Sequence, residues 1–220
     1  MQRVPEPELM DAPEQARAYA EADFSEPNSL FVEFALSHLS DTPSGRLVDL
    51  GCGPGDICLR LARALPGWHI TGLDAGPNML ALAREALASN KLSDRVEFIH
   101  AHLPDHSLTG RFEAVVSNSL LHHLPEPSTL WNTVAALAAP GAFVQVMDLH
   151  RPVDKHTAAE LVAGHADGEP DVLRQDFYNS LLAAWTADEV ADQLRRAGLE
   201  SLVIRRPTEL HWLVQGHVER

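Results

Sequence analysis

The stretch VDLGCGPGD, residues 48–56, decides how the rest of this chain is read. It joins a short apolar run, RLVDLG (46–51), to a helical segment that starts at Asp56 and continues to Leu65. Gly51, Gly53 and Gly55 let the backbone turn tightly and let a ligand approach main-chain N–H groups at a helix N-terminus. The spacing is G-x-G-x-G. The dinucleotide fingerprint, G-x-G-x-x-G, would need glycine where Asp56 stands, so a nicotinamide oxidoreductase is excluded. A pyrophosphate would also sit poorly beside Asp49 and Asp56. These acids suit a ligand with positive charge and no phosphate.

Working outward, WHITGLD (68–74), RVEFIH (95–100), FEAVVSN (112–118) and AFVQVMDL (142–149) read as further strands. Helices from Pro77 to about Ser89 and from Pro127 to Ala139 separate them, the second leading through a Pro140-Gly141 turn. Strands rich in Val, Ile and Leu that alternate with helices imply crossover units and a parallel sheet covered on both faces. Residues 152–183 break that rhythm and read as a helical insertion. TADEVADQLRRAGL (186–199) resumes it, with a capping-box pattern at Thr186 and Glu189 and Gly198 as the stop. LVIRR and ELHWLVQG close the sheet. The prediction is an α/β fold with a doubly wound, mostly parallel, seven-stranded sheet. Residues 1–40 form an N-terminal helical cap of two helices, the second capped by Ser25 or Asn28. Residues 41–220 form the main domain, with its lid insertion at about 152–183.

With 220 residues, of which 45% are apolar, the chain can bury one sizeable core. It carries 17 basic against 31 acidic residues, a formal net charge of -14. That field repels phosphate backbones and anionic lipid, so neither nucleic acid nor membrane is an expected partner. No apolar run reaches the roughly 18 residues of a transmembrane helix, and the acidic, proline-rich MQRVPEPELMDAPEQ does not read as a signal peptide. A cytoplasmic protein acting on a small-molecule substrate is the expectation. Cys52 and Cys58 make no disulfide framework; both read as packed thiols.

Asp74 ends the run WHITGLD, 23 positions after Gly51. In a parallel sheet it lies beside the glycine loop, at the carboxyl ends of adjacent strands where ligands bind. A carboxylate there can accept both hydroxyls of an unphosphorylated ribose. Ribose plus a cation beside a glycine loop describes S-adenosylmethionine. On VDLGCGPGD, GLDAGPNML (72–80), FEAVVSNSLLHHLPEP (112–127) and LAAPGAFVQVMDL (137–149), the chain resembles the class I, Rossmann-like S-adenosylmethionine-dependent methyltransferases over about residues 40 to 217. The resemblance implies that Gly51, Gly53 and the main chain near Asn118 hold the methionine part, with Gly55 completing the loop. It implies Asp49 facing the ammonium end, Asp74 as ribose ligand and Met79 as an apolar neighbour of adenine. Many members carry Asp after the third strand. Here the stretch is HAHLP, which leaves Ala101, His102 and Leu103 as alternatives against the adenine. SNSLLHH stands where nucleobase and amide methylases carry Asn-Pro-Pro-Tyr, which argues against those acceptors.

HAHLPDH (100–106) is one residue too long for the H-x-H-x-D-H metallohydrolase string, so no metal site is expected. His122 and His123 read either as packing and solvated groups or as a general base or substrate ligand. Methyl transfer needs water excluded and the nucleophile aligned, so the closing segments decide the chemistry. Tyr19, Asp23 and Phe24 from the first helices, with Asp176 and Phe177 from QDFYNSLLAAW, are the lid candidates. Tyr178, Asn179, His122 and Asp148 are the catalytic candidates. The expected function is methyl transfer to N, O or S of a small acceptor, giving S-adenosylhomocysteine. Two alternatives share the cofactor residues. One is a cyclase or lyase that consumes S-adenosylmethionine and releases methylthioadenosine; the other is a non-catalytic regulatory subunit.

Overall fold

The computed structural model describes residues 1–6, 11–104 and 110–219. Two helices, α1 (Pro13–Glu21) and α2 (Ser25–Leu39), precede a regular alternation. It runs β1 (Gly45–Leu50), α3 (Asp56–Ala64), β2 (Trp68–Asp74), α4 (Pro77–Asn90) and β3 (Val96–His100). After β4 (Phe112–Asn118) come a short 3-10 turn (Leu121–His123), α5 (Ser128–Leu137) and β5 (Ala138–Leu149). The insertion supplies α6 (Lys155–His165) and α7 (Asp171–Ala183). The chain closes with α8 (Ala187–Ala197), β6 (Val203–Arg205) and β7 (His211–His217). The sheet has seven strands in the order β3-β2-β1-β4-β5-β7-β6. Pairings from β3 through β5 are parallel, and β7 runs antiparallel to both its neighbours.

Alternate residues of the inner strands feed two cores. Leu47, Ile70 and Val116 pack with α2, α3 and α4 on one face. Val48, Leu73, Val115 and Trp212 pack with α5 and α8 on the other. Period-two alternation explains why consecutive Leu47 and Val48 are both fully buried. The capping box at Thr186 forms as expected: its hydroxyl accepts from the Glu189 N–H, and the Glu189 carboxylate accepts from the Thr186 N–H at 2.8 Å.

Within residues 1–40, α2 places Phe31, Val32, Ala35 and Leu39 in the main core. Gln145 and Gln215 donate to its Phe31 and Phe34 carbonyls. Neither Ser25 nor Asn28 caps α2. The helix starts at Ser25, whose N–H donates to Asp23 Oδ1 at 2.9 Å, and Asn28 donates instead to Asp56 Oδ2 at 2.8 Å. Pro140-Gly141 is no turn before the strand. β5 begins at Ala138, and its register with β4 shifts between Phe112 and Ala114. An extra stretch on one strand of a pair absorbs the proline that a regular ladder could not.

Candidate active site

The chain winds β1, β2 and β3 in one direction and then crosses back to β4 on the other side of β1. This reversal opens a crevice at the carboxyl ends of β1 and β4. A cavity of about 1570 Å³ lies there, walled by the glycine loop, α1, the turn after β4 and α7. It exceeds the roughly 300–1,000 Å³ of a site for one small ligand, so it has room for two.

The glycine loop is built from backbone and one carboxylate. Gly51 and Cys52 donate to the Leu73 carbonyl at 2.8 and 2.9 Å. Asp74 Oδ2 accepts from the Gly53 N–H at 2.8 Å and Oδ1 from the Gly76 N–H at 2.7 Å. Gly53 has a φ of +52°, and a Cβ there would meet nothing within 4 Å, because that side faces the cavity. Gly55 differs. Its φ is +85° and a Cβ would come within 2.6 Å of Phe98, so it packs α3 against β3 and stands outside the cavity wall. Asp74 keeps lone pairs for a ligand, and burial raises its pKa while the two loop N–H groups oppose the shift.

Deeper in the crevice, Asp49 is buried at the end of β1. Cys58 Sγ donates to its Oδ2 at 3.3 Å, while Oδ1 accepts no hydrogen bond from the described residues. Burial pushes the carboxyl up to about 7; the Cys58 bond opposes this and Asp74 adds to it. Asn118 Oδ1, at the end of β4, is likewise buried without a donor. Each such acceptor costs about 1–3 kcal/mol until a donor arrives. Two of them beside an open glycine loop fit a ligand that brings an ammonium group. S-adenosylmethionine therefore fits: Asp49 and Asn118 would hold its amino-acid end and Asp74 its ribose. Met79, Ala101, His102 and Leu103 line the same cavity. Asp11 caps α4 there, its Oδ1 accepting from the Asn78 and Met79 N–H groups at 3.1 and 3.2 Å. Of the HAHLPDH string, Asp105 and His106 lie outside the described residues.

The opposite wall is made of side chains. His122 is 3% exposed, and its Nδ1 lies 2.5 Å from Asp148 Oδ1. Asp148 also accepts from the Leu149 and His122 N–H groups at 2.6 and 3.2 Å. Burial alone would depress the His122 pKa, but Asp148 holds it above its ordinary value. Burial likewise works against the Asp148 charge, yet His122 and the hydrogen bonds keep its pKa low. Asp148 therefore sits behind the cavity and orients His122. His123 Nδ1 contacts Glu6 Oε2, and Ser180 donates to Glu6 Oε1 at 2.7 Å. Arg3 ties the strand-like N-terminus down by donating to the carbonyls of Ala183, His122 and Leu124. Its guanidinium lies 4.2 Å above the Trp185 ring.

Of the lid candidates, Tyr19, Asp23, Phe24, Asp176 and Phe177 all line the cavity. Tyr19 stacks on Phe24 at 4.7 Å, and burial with the charges of Asp148, Asp74 and Asp56 pushes its phenol up to about 12, so it stays a donor. Asp176 accepts from Gln15 at 2.8 Å, tying α7 to α1. Tyr178 and Asn179 are corrections. Tyr178 packs on the satellite core of Leu149, Ala158 and Leu181, and Asn179 accepts from Gln175 at 2.9 Å on the outer side of α7. Neither lines the cavity: at about 100° per residue, Asp176, Phe177 and Ser180 share one face of α7, and Tyr178 and Asn179 fall on the other. Among the described residues, Glu6, His122 and His123 place one possible ligand atom each within 4.8 Å of the others. Sequence reading missed Arg3, Glu6 and Asp11, which lie in or beside a segment with no helical or strand period.

Comparison with known proteins agrees with this geometry. Residues 48–144 match the family model described as a methyltransferase domain. An uncharacterized methyltransferase of Mycobacterium tuberculosis is 28% identical over 164 residues, spanning 73% of this chain and 80% of that one. The trans-aconitate 2-methyltransferase of Klebsiella pneumoniae is 33% identical over 177 residues, 80% of this chain and 64% of its own length. A crystal structure of an S-adenosylmethionine-dependent methyltransferase from Aquifex aeolicus superposes with a TM-score of 0.67 at 16% identity, covering 94% of this chain and 98% of the other. Residues 48–144 thus carry a methyltransferase domain, and the fold is that of the class I, Rossmann-like S-adenosylmethionine-dependent methyltransferases.

Proposed function

We propose that the chain methylates a heteroatom (N, O or S) of a small organic acceptor bound between the glycine loop and the wall of Glu6, His122 and His123. The observation that carries this reading is the division of one cavity. Unpartnered buried acceptors at Asp49 and Asn118 and the polar cluster of Glu6, His122 and His123 line the same cavity. The bound cofactor supplies an electrophilic methyl group on a sulfonium. The residues of this chain supply position and dryness. Asp74 and the open face of Gly53 hold the cofactor, while Phe24, Leu173 and Phe177 exclude water above it. Glu6, His122 and His123 orient the acceptor's nucleophilic atom and favour the loss of its proton.

The acidic walls narrow the acceptor. Glu6, Asp23 and Asp176 line the cavity, so an acceptor as anionic as trans-aconitate is disfavoured and a neutral or cationic one is favoured. Asp49 also bears on the cyclase alternative. Ring closure on the cofactor needs a free, neutral amine, whereas a carboxylate at the ammonium end holds that amine charged. The test is incubation with labelled S-adenosylmethionine and a panel of neutral and cationic phenols, amines and thiols, read by mass spectrometry. A methylated acceptor with S-adenosylhomocysteine is the expected product. Methylthioadenosine formed without any acceptor would overturn the reading.

A further inference from the structure

The cluster that faces the methyl donor has a chemistry of its own. Three side chains from two distant parts of the chain converge there: Glu6 from the N-terminal segment, His122 and His123 from the turn after β4. Their donor atoms lie within 4.8 Å of one another. We propose that Glu6, His122 and His123 bind one divalent transition-metal ion, and that this ion holds and activates a hydroxyl acceptor opposite the methyl group. The activation half of the proposal rests on the function proposed above; the binding half does not.

Three observations carry it. First, His122 is prepared as a ligand. Its Nδ1 is occupied by Asp148 at 2.5 Å, which leaves Nε2 as the donor nitrogen, and Asp148 is itself fixed by two backbone N–H groups. A carboxylate behind an imidazole is the usual way a metal-bound histidine is oriented and made more basic. Second, His123 Nδ1 pairs with Glu6 Oε2 in the cavity wall, a carboxylate–imidazole contact whose shared proton a metal ion can displace. Third, the ligands are held from behind. Ser180 takes Glu6 Oε1 at 2.7 Å, and Arg3 binds the carbonyls of His122 and Leu124. The two imidazoles lie side by side with centroids 4.0 Å apart.

Two imidazoles and one carboxylate make a borderline donor set, suited to zinc, cobalt(II) or nickel and poorly suited to magnesium or calcium. Three protein ligands leave a coordination position open toward the cavity, as a catalytic metal site requires. An acceptor hydroxyl in that position is acidified by the ion, and its proton leaves to water. The oxygen then forms the bond to the methyl carbon. The carbon–sulfur bond breaks with its electron pair remaining on sulfur, so the sulfonium becomes a neutral thioether.

The test uses the full chain, stripped with a chelator and titrated with cobalt(II) alone. Visible absorption at one equivalent, with nitrogen and oxygen ligand character, is the expected result. Glu6→Gln and His123→Ala should each weaken that binding at least tenfold while a thermal shift with S-adenosylmethionine shows both variants folded and cofactor-competent. A third variant, Asp148→Asn, keeps all three ligands and should weaken cobalt binding roughly tenfold through His122. Absence of a one-equivalent site, or binding unchanged in Glu6→Gln and His123→Ala, would overturn the proposal. Full methyl transfer by stripped protein in the presence of chelator would overturn the activating role and leave the methyltransferase reading standing. Cobalt binding without methyl transfer to any hydroxyl acceptor would uphold the metal site and count against that reading instead.

Discussion

The two walls of the cavity are built by different means. On the cofactor side, the contacts are backbone N–H groups and one carboxylate, joined across short sequence distances: Asp74 reaches Gly76 and Gly53, 2 and 21 positions away. On the acceptor side, side chains from far-apart segments meet, with Ser180 and Glu6 separated by 174 positions and Arg3 and His122 by 119. The first wall is a property of one strand–loop–helix unit. The second exists only when the N-terminus, the turn after β4 and α7 dock together.

The sharpest way to break this contrast is at the buried pair. Asp148→Ala leaves His122 without its partner in a 3% exposed site, which should cost about 3–5 kcal/mol of folding stability. Thermal unfolding checks it, and a loss under about 1 kcal/mol would mean the pair does not organise the wall. Next, Asp74→Ala removes the acceptor for two loop N–H groups and the ribose ligand. Cofactor affinity should fall by about 2 kcal/mol, roughly 30-fold, by calorimetry, with the Arg3 and Glu6 contacts untouched.

The pH dependence sharpens it further. Asp49 stands at about 7 in the folded protein against an ordinary 3.8. Between those values the folded chain holds a proton that the unfolded chain has released. Stability of the cofactor-free protein from this group is therefore full below about pH 4 and is lost as pH rises through 7. Cofactor binding, which needs the carboxylate, runs the other way, strengthening by up to about tenfold per pH unit and levelling above pH 7. Isothermal titration from pH 5.5 to 8.5 checks the sign. The smallest effect belongs to Tyr178→Phe. With its ring in the satellite core and its position off the cavity wall, turnover should stay within about twofold and stability within roughly 0.5 kcal/mol. A tenfold drop in kcat would return Tyr178 to the catalytic wall.

Legibility in the sequence follows the same division. The glycine spacing, Asp74 and the alternation of strands with helices were readable because each is a local pattern with a fixed period or offset. Gly55 was readable as a glycine but not by its role, since its neighbour Phe98 lies 43 positions on and meets it only through the β2–β3 pairing. Phe177 and Tyr178 were inseparable on paper. They are adjacent in a helix with no strong apolar stripe, and only docking chose which faced the cavity. Arg3, Glu6 and Asp11 lie in or beside a proline-rich stretch without period, so no local signal marked them.

The sequence by itself determined the sheet, the cofactor loop and its two carboxylates. Those features depend on backbone conformations and apolar periods that act over a few residues. The tertiary structure alone decided that Asp148 orients His122, that Glu6 joins His122 and His123, and that α2 packs into the core. Asp148 and His122 meet across 26 positions, Glu6 and the two histidines across more than a hundred, and α2 by its choice of packing partner; no local preference encodes these meetings.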